Sequence, residues 1–222
     1  MNRLAVAVDG IDGSGKSTFA GRLFAGVESA GAQAALVRVD DFRRTLDWNG
    51  ADEATLYYEQ YYALDRLGAV VQAFASGATM LELPGFDGIA GQPLPARQVS
   101  LKPAAVLILE GVFIRRIPFG TAPVHHIYLH TPAAVARRQL VARDTARGRA
   151  TVEIERRLDR RYVPGQARYH AECDPQQRAD LIVDNSDPTA PLLRSGSMTA
   201  LPPLLASVLT KLLSRGPQAG DR

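Results

Sequence analysis

Cysteine is almost absent from this 222-residue sequence. A lone Cys173 rules out an internal disulfide, argues against a cysteine-built zinc site, and suits a reducing, cytoplasmic setting. Long apolar runs are missing as well, and none approaches the roughly 20 residues that cross a bilayer. The first, Leu4 to Val8, runs straight into Asp9, with neither the h-region nor the cleavage site of a signal peptide. A cytoplasmic protein with no membrane partner is therefore the expectation. Lysine is scarce too: of 26 basic residues, only Lys16, Lys102 and Lys211 are not arginine. Arginine clusters accordingly carry less information than usual, and a net charge of +3 does not by itself argue for a nucleic-acid partner. His125, His126, His130 and His170 show no metal-ligand spacing, and no internal repeat is present.

What the chain does have is enough apolar content, 46%, to bury one good-sized core. Short apolar runs recur at Leu4 to Val8, Ala34 to Val39, Val106 to Leu109, Ile127 to Leu129 and Leu181 to Val183. Segments of helical spacing lie between or after them: Ser17 to Ala30, Glu53 to Ala75, Ala133 to Arg147 and Leu204 to Leu213. Alternation of this kind predicts buried parallel strands joined by crossover helices, a three-layer α/β domain. Gly85 to Pro103, rich in glycine and proline, reads as a loop. A single domain over 1–215, followed by a frayed tail at 216–222, is expected.

The most specific signal follows the first strand. Gly10, Gly15, Lys16 and Ser17 complete G-x-x-x-x-G-K-S between a predicted strand and a predicted helix, the context that a phosphate-binding loop requires. Backbone N–H groups of Gly10, Asp12, Gly13, Ser14, Gly15 and Thr18, with the helix N-terminus, would cradle ATP phosphates. Lys16 would reach the β and γ phosphates and Ser17 would ligate Mg2+. The strand Val106 to Leu109 delivers Glu110 to the carboxyl edge of the sheet, where a carboxylate can serve the same magnesium. The run ending in Val39 places Asp40 and Asp41 at that edge. At least one is expected to orient an acceptor hydroxyl and accept its proton, whereas the other could cap or form a turn. Arg137, Arg138, Arg143, Arg147, Arg149, Arg156, Arg157, Arg160 and Arg161 follow later in the chain. They read either as cations closing on a γ-phosphate or as a solvated face paired with Asp144, Glu153, Glu155 and Asp159. Tyr57, Tyr58, Tyr61 and Tyr62, at helical spacing, read as core.

Together, the P-loop, Val39-Asp-Asp-Phe42, Leu109-Glu-Gly111, Arg143-Asp144, Arg147-Gly-Arg149 and Arg178-Ala-Asp180 resemble the uridine kinase and phosphoribulokinase superfamily. Arg161-Tyr-Val-Pro-Gly-Gln166, Tyr169 and Ala179-Asp-Leu-Ile-Val-Asp-Asn185 add to the likeness. The resemblance implies an ATP- and Mg2+-dependent kinase acting on a small-molecule hydroxyl, with uridine or cytidine the leading acceptor. Pantothenate, glycerate, a sugar or ribulose phosphate are the alternatives. It further implies Asp40 as catalytic base, Glu110 as magnesium partner, and Arg143, Arg147 and Arg149 as parts of a phosphate lid spanning about 137–161. Strand alternation would send Asp41 to the opposite face from Asp40. The lid arginines are expected to have too few nearby acids to pair internally. Phe42, Phe86, Asp87, Tyr162 and Gln166, with Asp40, are the implied acceptor contacts. The sequence departs from the uridine-cytidine pattern where Phe86 replaces a Tyr, Gly91 a His, and Ala63 an Asp for which Asp65 is the nearest substitute. The Gly10 to Thr18 phrase also resembles thymidylate kinases, and a nucleotide-binding regulator without an acceptor is the alternative of another class. Oligomeric state is left open, a homo-oligomer included.

Overall fold

The computed structural model describes residues 3–214; the expected tail at 216–222 lies outside them. The chain alternates strand and helix as its apolar pattern predicts. Five strands, β1 (Leu4–Gly10), β2 (Ala34–Arg38), β5 (Val106–Glu110), β6 (Val124–His130) and β7 (Leu181–Asp184), run parallel. With β8 (Leu192–Gly196) antiparallel against β7, they form a sheet of order β2-β5-β1-β6-β7-β8. Because successive strand side chains point to opposite faces, β1 and β5 each feed two cores. Ala5, Ala7, Leu107 and Leu109 face α2 (Glu53–Glu59) and α3 (Leu64–Ala75), while Val6, Val8, Val106 and Ile108 face α1 (Lys16–Ser29) and α7 (Pro203–Ser214). A sheet buried on both faces needs the near-continuous apolar strands that this sequence supplies.

The remaining helices, α4 (Ala133–Ala146), α5 (Thr151–Arg157) and α6 (Val163–Cys173), lie between β6 and β7, with a π-helical turn at Leu158–Tyr162 joining α5 to α6. Two expectations change. The segment read as a loop is a two-stranded antiparallel hairpin, β3 (Met80–Asp87) and β4 (Gln92–Ser100). Its Pro93 and Pro95 sit on the largely exposed β4, where a missing N–H is tolerated as on any edge strand. The single helix expected over Glu53 to Ala75 is broken at Gln60–Ala63. There, Arg44 N–H donates to Tyr61 O (2.8 Å) and Ala63 N–H to Phe42 O (2.8 Å), so the chain just after β2 takes the place of the helical ladder. That break brings Tyr62 to the carboxyl edge of the sheet.

Candidate active site

The P-loop forms where the motif predicts. Ser14 N–H closes a turn on Ile11 O (3.1 Å), and Gly15, at φ 84°, starts α1 from the left-handed region that suits glycine. A Cβ on Gly15 would lie 2.6 Å from Asn185 Nδ2, so the loop and the end of β7 are in close approach. Asn185 is buried and its Nδ2 donates to Ser14 O (2.7 Å). Its side chain thus braces the P-loop rather than forming a turn, a part that Asp184 plays by accepting from Ser186 N–H and Oγ–H. Lys16 is buried and its Nζ donates to Ile11 O (2.7 Å), folded back over its own loop. Ser14 Oγ is buried without a hydrogen-bond partner, and Ser17 and Thr18 are exposed at the start of α1. Free loop N–H groups, a helix N-terminus and a lysine form a cradle that fits a polyphosphate.

Beside the cradle, Ser17 Oγ–H donates to Glu110 Oε1 (3.1 Å). Burial pushes the Glu110 carboxyl up to about 7, the Asp40 charge adding to it and Lys16, the Ser17 hydroxyl and Arg38 opposing. A desolvated carboxylate next to a hydroxyl, with a second acid nearby, is a donor set that suits a hard divalent cation. Among the described residues no group of three or more His, Cys, Asp or Glu converges as a metal cluster, so Ser17 and Glu110 would hold magnesium together with phosphate oxygens and water.

Asp40 and Asp41 lie in a 3-10 turn, Val39–Phe42, rather than in the strand. Strand alternation therefore does not separate them, yet they diverge. Asp40 accepts from Tyr62 Oη–H (3.3 Å) and pairs with Arg43 Nη2 (2.6 Å). Asp41 lines a cavity of about 600 Å3 between β2 and the hairpin, with Arg38, Phe86 and Arg97. Burial raises the Asp41 carboxyl against the pull of Arg38 and Arg97.

Around Asp40, α2, the break after it, Phe113 and the π-helical turn supply an aromatic wall. Tyr57 is fully buried, with Phe113, Tyr162, Tyr61 and Tyr62 at 4.9 to 5.9 Å between centroids. Its hydroxyl nevertheless reaches Asp12 Oδ2 (2.6 Å), which Gln166 Nε2 also contacts. A core reading of these tyrosines is correct for the rings and misses the hydroxyls. Of the other expected acceptor contacts, Phe42 is buried in the core and Phe86 is half-buried at the cavity. Asp87 instead closes the hairpin turn, accepting from Ile89 N–H (2.8 Å) and Ala90 N–H (2.9 Å). Asp65 pairs with Arg44 at the surface (3.1 Å) and does not stand in for the Asp that Ala63 lacks.

The lid expectation is corrected in one respect: its arginines are well supplied with acids. Buried Asp144 takes Arg143 Nε (2.8 Å) and Arg149, while Glu155 and Asp159 take Arg137. Buried Glu53 on α2 receives Arg161 Nη2 (2.9 Å) and Arg156. Arg147, exposed after α4, has no carboxylate partner among the described residues. Sequence reasoning also passed over Asp9, the last side chain before the P-loop. Buried Asp9 accepts Gly10 N–H (2.7 Å) and Tyr169 Oη–H (2.5 Å), linking β1 to α6.

Solved structures share this architecture. One described as a possible uridine kinase from Bacillus stearothermophilus aligns at TM-score 0.64 and 22% identity, over 82% of this chain and 89% of that one. A candidate fructose transport system kinase from Silicibacter sp. TM1040 aligns at 0.63 and 22% identity, over 77% and 85%. D-glycerate 3-kinase from Cryptococcus neoformans aligns at 0.57 and 13% identity, over 74% and 78%. No protein-family model and no curated protein matches the sequence. The fold is that of the P-loop kinases.

Proposed function

We propose that this protein transfers the γ-phosphoryl group of ATP to a hydroxyl of a small metabolite, with Asp40 as the base. The observation that carries the reading is the convergence of Asp40 and Glu110 beside Ser17 and Lys16: a half-exposed carboxylate, held by Arg43 and Tyr62, stands across from a phosphate cradle. Asp40 takes the proton as the acceptor oxygen bonds to the γ-phosphorus and the bond to the β–γ bridging oxygen breaks, releasing ADP. Lys16 acts as a point charge on the phosphates. Arg143, Arg147 and Arg149 approach them from the lid, which requires Arg143 and Arg149 to loosen from Asp144. Magnesium held by Ser17 and Glu110 would neutralise phosphate charge.

Uridine and cytidine come from the resemblance, and uridine also from the name of one structural neighbour. The names of two others point to sugar and glycerate chemistry. Coupled ADP release over uridine, cytidine, pantothenate, glycerate and simple sugars tests the reading. An acceptor-dependent rate supports it; tight ATP binding with no acceptor dependence would point to a nucleotide-binding regulator instead.

A further inference from the structure

The cation beside the proposed base is more enclosed than a surface partner needs to be. Arg43 leaves the 3-10 turn with its guanidinium 5.6 Å from the Tyr61 ring centroid and 6.0 Å from that of Phe86. The hairpin tip closes over it, since a Cβ on Gly88 would come within 2.6 Å of Nη1. Nη2 pairs with Asp40, 20% of the side chain remains open to solvent, and Nε is buried with no hydrogen-bond partner. A guanidinium presents its donors as a rigid fork suited to two oxygens of one anion. Asp40 engages one side of that fork, and a buried donor without an acceptor needs an explanation.

Nearby acceptors are already in use. Asp12 takes Tyr57 and Gln166, and Asp40 takes Tyr62 and Arg43. A neutral polyol or base could offer Arg43 only an uncharged oxygen, a weaker partner for a guanidinium than an oxyanion. An oxyanion supplies the missing acceptor. By drawing Arg43 away from Asp40, it also frees the carboxylate that must receive the hydroxyl proton. We infer that the phosphate acceptor carries an anionic group, a carboxylate or a phosphate, seated on Arg43 between Tyr61 and Phe86. This rests on the kinase reading above and narrows its substrate class.

Trp48, the single tryptophan, packs edge-on to Tyr61 at 5.2 Å and reports on this pocket. Its fluorescence is followed, with Mg2+ and a non-hydrolysable ATP analogue present, while matched pairs are titrated: D-glycerate against glycerol, pantothenate against pantothenyl alcohol, ribose 5-phosphate against ribose, and uridine alone. At least one acid should bind about tenfold or more tighter than its neutral partner, and Arg43→Gln should erase that preference without changing analogue affinity. Which pair responds separates carboxylate from phosphate. Better binding by uridine or by a neutral member, an acid that binds Arg43→Gln as well as wild type, or no binding by any acid overturns the inference. If Arg43→Gln does not fold, Gly88→Ala, which crowds the guanidinium from the hairpin side, should weaken the acid selectively. An acid that binds through Arg43 yet draws no ADP release removes the kinase reading and leaves Arg43 as an oxyanion site.

Discussion

At the residue scale, a few carboxylates take different tasks from their surroundings. Asp40 is half exposed and reaches Tyr62 and Arg43, whereas Asp41 faces the hairpin cavity. Asp40→Asn keeps size and hydrogen bonding but cannot take a proton. It should lower kcat by about 10² to 10⁴-fold with ATP affinity nearly unchanged, and Asp41→Asn should cost much less. Steady-state kinetics on the two variants decides the point, and the reverse order would move the base to Asp41. Asp9 makes a separate prediction about pH. Burial raises its carboxyl from 3.8 to about 6, against the pull of the Tyr169 hydroxyl, the Gly10 N–H, Lys16 and Arg115. The folded chain therefore holds this proton where the unfolded chain releases it. Stability from Asp9 is full below about pH 4 and is lost as pH rises through about 6. Asp9→Asn should flatten that fall, on the order of 3 kcal/mol at most, in denaturant titrations between pH 4 and 7.

At the scale of elements, the chain holds the 137–161 segment with ion pairs rather than leaving it as a string of free cations. Leu140, Ile154 and Leu158 give α4, α5 and the π-helical turn a small core of their own, and Glu53 ties that unit to α2 through Arg161 and Arg156. Burial alone would raise Glu53, but hydrogen bonds from Arg161 and Arg156 more than offset it and hold the carboxyl below its ordinary value. Glu53→Ala strands the buried Arg161 and should destabilise the fold by about 3 kcal/mol, read as a lower unfolding midpoint in denaturant. Hydrogen exchange over 137–161 should slow when nucleotide and acceptor bind together, and unchanged protection would mean that these arginines only solvate a helix face. The parallel strands and α1 were legible because buried strands need uninterrupted apolar residues and the P-loop needs its glycines at fixed spacing. The hairpin was not, because Pro84, Pro93 and Pro95 signal a loop until an edge position excuses their missing N–H groups. Neither was the break in the 53–75 helix, which depends on hydrogen bonds from Arg44 and to Phe42. Arg43 carried no signal beyond its place next to Val39-Asp-Asp-Phe42. Its role appears only when the Tyr61 and Phe86 rings and the hairpin tip are brought around it.

At the scale of the whole molecule, the sheet order sets β1 between β5 and β6, so the P-loop, Glu110 and the turn after β2 meet at one carboxyl edge. Ligands collect at that edge in open α/β sheets. Lys16→Ala should leave this architecture intact, as judged by circular dichroism and thermal unfolding, while removing a preorganised charge worth roughly 3 to 4 kcal/mol in the transition state. The most direct test of the central claim follows the label from γ-phosphate-labelled ATP in the presence of the best acceptor from the ADP-release panel. Label should appear covalently on the acceptor hydroxyl with wild-type protein and fall by at least about two orders of magnitude with Lys16→Ala. Label recovered only as inorganic phosphate, or transfer undiminished in Lys16→Ala, would contradict the account.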